Sequence, residues 1–245
     1  MALPALVLVH GGQHAADCWE LTVDEIALLE PDLDVLAIDL PGRRGKPGDL
    51  RTATIASWVD SAVSDIESAG VDEVVVVGHS MAGLTVPGIV TKLGSSRVRE
   101  MVFAAAFVPP DGFAVVDTLP GVLGAYARHY IAKGGVATLP NPLAEFAFCN
   151  GMTLRQRRFN RARFHAEGPA VVVEKVDRSG MPDDVARTWI LTLRDRALSL
   201  ASQRRSIAAL GGVHTVLPID TCHNLMVSRP RLLAEMLVER CRRYA

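Results

Sequence analysis

Apolar residues along this chain recur in two rhythms. Short, largely apolar runs alternate with longer segments in which apolar residues return every third or fourth position. The short runs are Ala5–Val9, Asp34–Leu40, Glu73–Val77, Val98–Val108, Thr188–Leu193 and Val213–Ile219, and they read as strands. The longer segments predict helices over Asp17–Glu30, with Asp17 as N-cap, and over Thr54–Ala69, where Ile55, Trp58, Val59, Ala62, Val63 and Ile66 form one stripe. Further helices are predicted from Ser80 to about Leu93, interrupted by Pro87, and over Ser199–Leu210 and Pro230–Arg242. Strands without a polar face are buried on both sides. Separated by helices, they imply a parallel α/β sheet with right-handed crossovers.

Between Pro109 and about Asp184 the alternation stops, leaving scattered Gly and Pro, helical fragments and no convincing strand. A stretch this long whose composition is not low-complexity reads as a lid rather than a linker. The expected division is a core of residues 1–108 and 186–245 with a lid at 109–185, inserted before the last two strands. Seven of the thirteen aromatic residues fall in the insertion: Phe113, Tyr126, Tyr130, Phe146, Phe148, Phe159 and Phe164. That enrichment hints at the apolar roof of a pocket.

The 245 residues suit one large domain, and a formal net charge of −1 argues against nucleic-acid binding. The basic run Arg155–Arg163 reads as a solvated helix face, with a patch for an acidic partner as the alternative. Cys18, Cys149, Cys222 and Cys241 lack metal-type spacing, and their scatter fits reduced thiols in the cytoplasm. The opening MALPALVLVH has no basic stretch or cleavage site and reads as a first strand, not a signal peptide. No apolar run reaches the ~18 residues of a membrane helix. No metal, cofactor, nucleic acid or membrane is expected, and a homodimer is left open.

The chemistry starts at VVVVGHSMAGL, Val74 to Leu84. Gly78-His79-Ser80-Met81-Ala82 follows the G-x-S-x-G pattern with Ala82 in the second small position. The small residues let a strand and a helix meet at a strained turn that exposes the serine. A serine needs a base to take its proton and donors for the oxyanion it creates. The glycine-rich loop His10-Gly11-Gly12-Gln13-His14 makes the backbone N–H groups of Gly12 and Met81 the expected donors. Among the seven histidines, His223 alone lies on a loop between a late strand and the last helix. The order Ser…Asp…His then favours Asp195, 28 residues earlier, as the acid, with Asp111 as its competitor. Asp220 is too close to His223 along the chain to reach its ring easily. Gly11, His14 and Asn224 are expected near the pocket wall, and His79 as a packing residue.

Over essentially its whole length the chain resembles the α/β-hydrolase superfamily, and within it the plant methylesterase and hydroxynitrile lyase group and related bacterial esterases. The resemblance rests on LVLVHGGQHAADCW, AIDLPGRRG, VVVVGHSMAGL, the run ILTLRDRALSLASQRRSIAAL with Gln203 eight residues after Asp195, and Cys222-His223. It implies a cofactor-free Ser-His-Asp triad under a helical lid. It also implies six mostly parallel strands, because the first strand of the chain resembles the third of the full eight-stranded pattern. In that group the lyases carry threonine after the first-strand histidine and lysine after the catalytic one. Here these positions hold Gly11 and Asn224, and asparagine cannot supply the cation that stabilises departing cyanide.

The expected activity is hydrolysis of a small carboxylic ester through an acyl-enzyme. Lactone or thioester hydrolysis, carbon–carbon lyase chemistry and a non-catalytic small-molecule receptor stand as alternatives.

Overall fold

The computed structural model describes residues 3–119 and 121–245. Six strands form one parallel sheet: β1 (Ala5–Val9), β2 (Val35–Ile38), β3 (Val74–His79), β4 (Val98–Ala104), β5 (Ala186–Thr192) and β6 (Thr215–Ile219). Their order across the sheet is β2-β1-β3-β4-β5-β6. Strands β1 and β3 are therefore interior to the sheet, with both faces covered. Side chains alternate between the faces with the two-residue period of a strand. Val7, Val9, Val74 and Val76 enter one core. Leu6, Leu8, Val75 and Val77 enter the other. This is why no polar position interrupts either strand.

The helix Ile55–Ser68 packs Trp58, Val59, Ala62, Val63 and Ile66 inward. Its first turn is closed by a reciprocal Thr54–Ser57 capping box. The helix Pro230–Arg242 lies against Glu20–Leu29 on the opposite face. At the far end of the sheet from the serine, Glu100 is fully buried and accepts from Arg240, Thr188 and Tyr244, tying the C-terminal helix to β4 and β5.

Three local expectations need correction. Strand β4 stops at Ala104 rather than Val108, because Ala105 takes φ +46 and turns the chain out of the sheet. Asp17 is not an N-cap. The first turn, Ala16–Trp19, is 3-10 helix preceded by Ala15, and Asp39 at the end of β2 accepts the Ala16 N–H at 2.7 Å. Pro87 does not interrupt a helix that starts at Ser80. Residues Ser80–Leu84 form a 3-10 turn, and the α-helix Val86–Leu93 begins with Pro87 in its first turn, where no N–H is needed.

Among the described residues, five helices come between β4 and β5: Val115–Thr118, Gly121–Ala132, Asn141–Phe148, Leu154–Arg161 and Ala170–Val173. The basic run lies on the fourth, where Arg157 and Arg161 pair with Glu145, while Arg163 just beyond pairs with Glu20. No helix among the described residues is long and apolar enough to cross a membrane.

Candidate active site

Strand β3 delivers Ser80 at the carboxyl edge of the sheet with φ +53, a left-handed conformation that a non-glycine residue adopts only under constraint. Neighbouring glycines permit the close approach. A Cβ on Gly11 would stand 2.6 Å from the Ser80 Cβ, and one on Gly83 would collide with the carbonyl of Phe107. Having turned at Ala105, the chain returns over the serine, and Phe107 donates its N–H to the Ser80 carbonyl at 2.8 Å.

His223 lies on the loop between β6 and the last helices. Its Nε2 is 2.9 Å from the Ser80 Oγ, and its Nδ1 is 2.7 Å from Oδ2 of Asp195. The carboxylate fixes which ring nitrogen carries the proton, leaving Nε2 free to accept from the serine hydroxyl. Asp195 is itself held by the N–H groups of Ala197 and Leu198 at 2.8 and 2.7 Å and by the Thr192 hydroxyl at 2.9 Å. Asp111 is elsewhere, accepting from the Arg178 backbone, and Asp220 pairs with Arg194.

Gly12 and Met81 both line the cavity above Ser80, and a Cβ on Gly12 would run into the Met81 thioether. Met81 stands in the first turn of its helix, where N–H groups have no intrahelical partner. Both residues thus border Ser80 in the cavity. The cavity and its solvent-open mouth together span about 730 Å³. Phe107, Val115, Leu119, Leu123, Leu139 and Phe148 make its wall predominantly apolar.

Gly11, His14 and Asn224 do not line this cavity and form the layer behind it. His14 donates Nδ1–H to the Gly12 carbonyl at 2.8 Å, so its Nε2 accepts from Asn224 at 3.0 Å. Asn224 is fully buried and also donates to Asn160 at 2.8 Å. Burial lowers the His14 pKa to about 4, which keeps the imidazole neutral in this role. Burial likewise holds His10 and His79 well below the usual histidine value. His10 also stands clear of the cavity, bonded to the Gly11 carbonyl and the Leu40 N–H.

Two residues matter more than the sequence indicated. His79 packs, and it also donates Nε2–H to the His223 carbonyl at 3.0 Å, so the residue before the serine braces the histidine loop. Gln203 is fully buried; its side-chain carbonyl accepts from the Thr192 N–H at 3.2 Å, and its amide donates to the Thr192 and Leu198 carbonyls at 2.9 and 3.0 Å. It thereby clamps the turn that carries Asp195. Its spacing of eight residues from Asp195 was the only signal in the sequence.

The four cysteines are free and buried. Burial pushes Cys149 and Cys241 up to about 12 and also raises Cys222, so the thiol beside His223 is a poor nucleophile. Among the described residues no three His, Cys, Asp or Glu side chains are grouped to hold a metal ion.

Among proteins of known name, the chain is 30% identical over 119 residues to a carbendazim hydrolyzing esterase of Nocardioides sp. (strain SG-4G), covering 48% of each chain. It is 26% identical to the putative chloroplastic methylesterase 11 of Arabidopsis thaliana, over 95% of this chain and 63% of that one. The matches to these two relatives thus span less than two thirds of their length. Among solved structures, an extracellular alpha/beta-hydrolase from a Paenibacillus species superposes with a TM-score of 0.85 at 22% identity, covering 98% of this chain and 99% of that one. The sequence profile of the alpha/beta hydrolase family matches residues 6–236, and the chain belongs to that family.

Proposed function

We propose that this chain hydrolyses small carboxylic esters, with Ser80 as nucleophile, His223 as general base and acid, and Asp195 as the group that orients and stabilises the imidazolium. The observation that carries the reading is the unbroken line from Ser80 Oγ to His223 Nε2 at 2.9 Å and from His223 Nδ1 to Asp195 at 2.7 Å. It lies at the floor of an apolar cavity. The esterase names of two relatives support the same reaction class.

Ser80 Oγ attacks the ester carbonyl as its proton passes to His223 Nε2. The developing oxyanion accepts from the Gly12 and Met81 amides. Collapse expels the alcohol, which takes the proton from His223, and the acyl group stays on Ser80. Water then loses a proton to His223, attacks the acyl carbon and frees the acid. Lactones and thioesters would follow the same steps. Position 224 holds a neutral amide already engaged with His14 and Asn160, which speaks against cyanide-releasing lyase chemistry.

The test is Ser80→Ala assayed with a graded set of esters. Turnover should fall by up to about 10⁶-fold while the fold persists. An alanine variant keeping more than a few per cent of activity would refute the assignment.

A further inference from the structure

Gln13, the residue after Gly12, is held by the segment that roofs the cavity through every polar group it has. Its backbone N–H donates to Glu167 Oε2 at 3.3 Å, and its carbonyl accepts from the His165 N–H at 2.8 Å. Its side chain donates to the Ala137 carbonyl at 3.1 Å and accepts from the Leu139 N–H at 2.6 Å. Ala137 and Glu167 are themselves joined as an antiparallel bridge by backbone bonds at 3.1 and 3.0 Å. The pair is closed by Tyr130, whose hydroxyl donates to the Glu167 carbonyl and accepts from the Ala137 N–H.

The grip is tightened by a buried ion pair. Arg43, with a side chain 0% exposed, reaches Glu167 Oε2 at 2.7 Å and donates Nε–H to the His14 carbonyl at 3.0 Å. Residues 13 and 14 are thus fixed from both sides, by the overlying segment and by the PGRRG turn. Gln13 has φ +62, a conformation glycine would adopt at little cost and glutamine holds only under constraint. The side chain supplies that constraint, and the peptide it orients directly follows Gly12.

We infer that Gln13 and Glu167 are positioning residues: they set the aim of the Gly12 N–H, so the segment above the cavity completes the oxyanion site as well as covering it. This rests on the ester-hydrolase reading above. Oxyanion donors act only where they meet the charge that develops. A misplacement of about 1 Å can cost on the order of 10²-fold in rate. The bonds to Gln13 then affect the transition state and leave binding of the ester nearly unchanged.

The test compares Gln13→Gly and Gln13→Asn with the wild-type chain. Both residues accept a positive φ, and neither reaches Ala137 and Leu139. Three quantities are measured for a small p-nitrophenyl ester: kcat, KM, and inhibition by a trifluoromethyl ketone with the same acyl group, which presents an oxyanion once Ser80 adds to it. Circular dichroism at the assay temperature confirms folding, and Gln13→Asn serves if Gln13→Gly does not fold. The expected result is a kcat about 10- to 100-fold lower, KM within about twofold, and ketone affinity reduced in parallel with kcat. A raised KM with unchanged kcat, or a reduced kcat with unchanged ketone affinity, would overturn the inference alone. A wild-type chain that neither turns over the ester nor binds the ketone would overturn the ester-hydrolase reading, and this inference with it.

Discussion

Oδ2 of Asp195 lies 2.7 Å from Nδ1 of His223, and both side chains are almost wholly withdrawn from solvent. Asp111, the alternative acid by chain order, instead faces Arg178. Asp195→Asn would preserve shape while favouring the wrong ring tautomer. Turnover should drop by about 10⁴-fold, whereas Asp111→Asn should change it only slightly. Assaying both variants on one ester checks this, and a normal Asp195→Asn beside a crippled Asp111→Asn would move the acid to the earlier strand.

Gly11 leaves the space in which Ser80 turns. A methyl group there would stand 2.6 Å from the Ser80 Cβ and 2.9 Å from the His79 carbonyl. Gly11→Ala should lower stability by about 1–3 kcal/mol and reduce turnover by displacing the serine. Gly135→Ala, where a Cβ would meet open space, is the control and should leave both unchanged. Thermal melts and kinetics on the two variants give the comparison.

Stability should depend on pH through the buried histidines. His14 falls to about 4 in the folded chain, against 6.5 for an unperturbed imidazole. Between those values the unfolded chain binds the extra proton, so stability rises with pH across the window and is lost as pH drops from 6.5 towards 4. The contribution of His14 is on the order of 3 kcal/mol. His10 and His79 act in the same direction. Denaturant midpoints measured from pH 7.5 to 4.5 should decline, and His14→Gln should flatten the decline.

Gln203 offers another handle on the acid. Gln203→Leu would strand the Thr192 and Leu198 carbonyls and the Thr192 and Trp189 N–H groups that it now serves. Each buried polar group left without a partner costs about 1–3 kcal/mol. The variant should melt lower and lose turnover in step with the displacement of Asp195. An unchanged kcat at a temperature where it is folded would assign Gln203 to stability alone.

The interior of the sheet was legible in the sequence because burial on both faces leaves Ala5–Val9 and Val74–Val77 without a polar position. Ser80 was legible because a sharp turn leaves room only for small neighbours such as Gly78 and Ala82. Asp195 and His223 followed from the chain order that this architecture imposes. The contacts joining distant segments left no local trace. Nothing near Arg43 announces its pairing with Glu167, 124 residues away. Nothing around Gln13 shows that Ala137, Leu139 and His165 converge on it. Asn224 was expected near the cavity wall from its place beside His223. It lies behind the wall because its side chain turns towards His14 and Asn160.

The central claim is that Ser80 forms a covalent acyl intermediate, and pre-steady-state kinetics with a p-nitrophenyl ester test it most directly. Where release of the acyl group is slower than its formation, p-nitrophenol should appear in a burst of about one equivalent per chain, followed by a linear phase. Mass spectrometry of acid-quenched protein should place the acyl group on the peptide containing Ser80, and Ser80→Ala should show neither burst nor adduct. An acyl group found on another residue, or a burst of undiminished size in Ser80→Ala, would contradict the account.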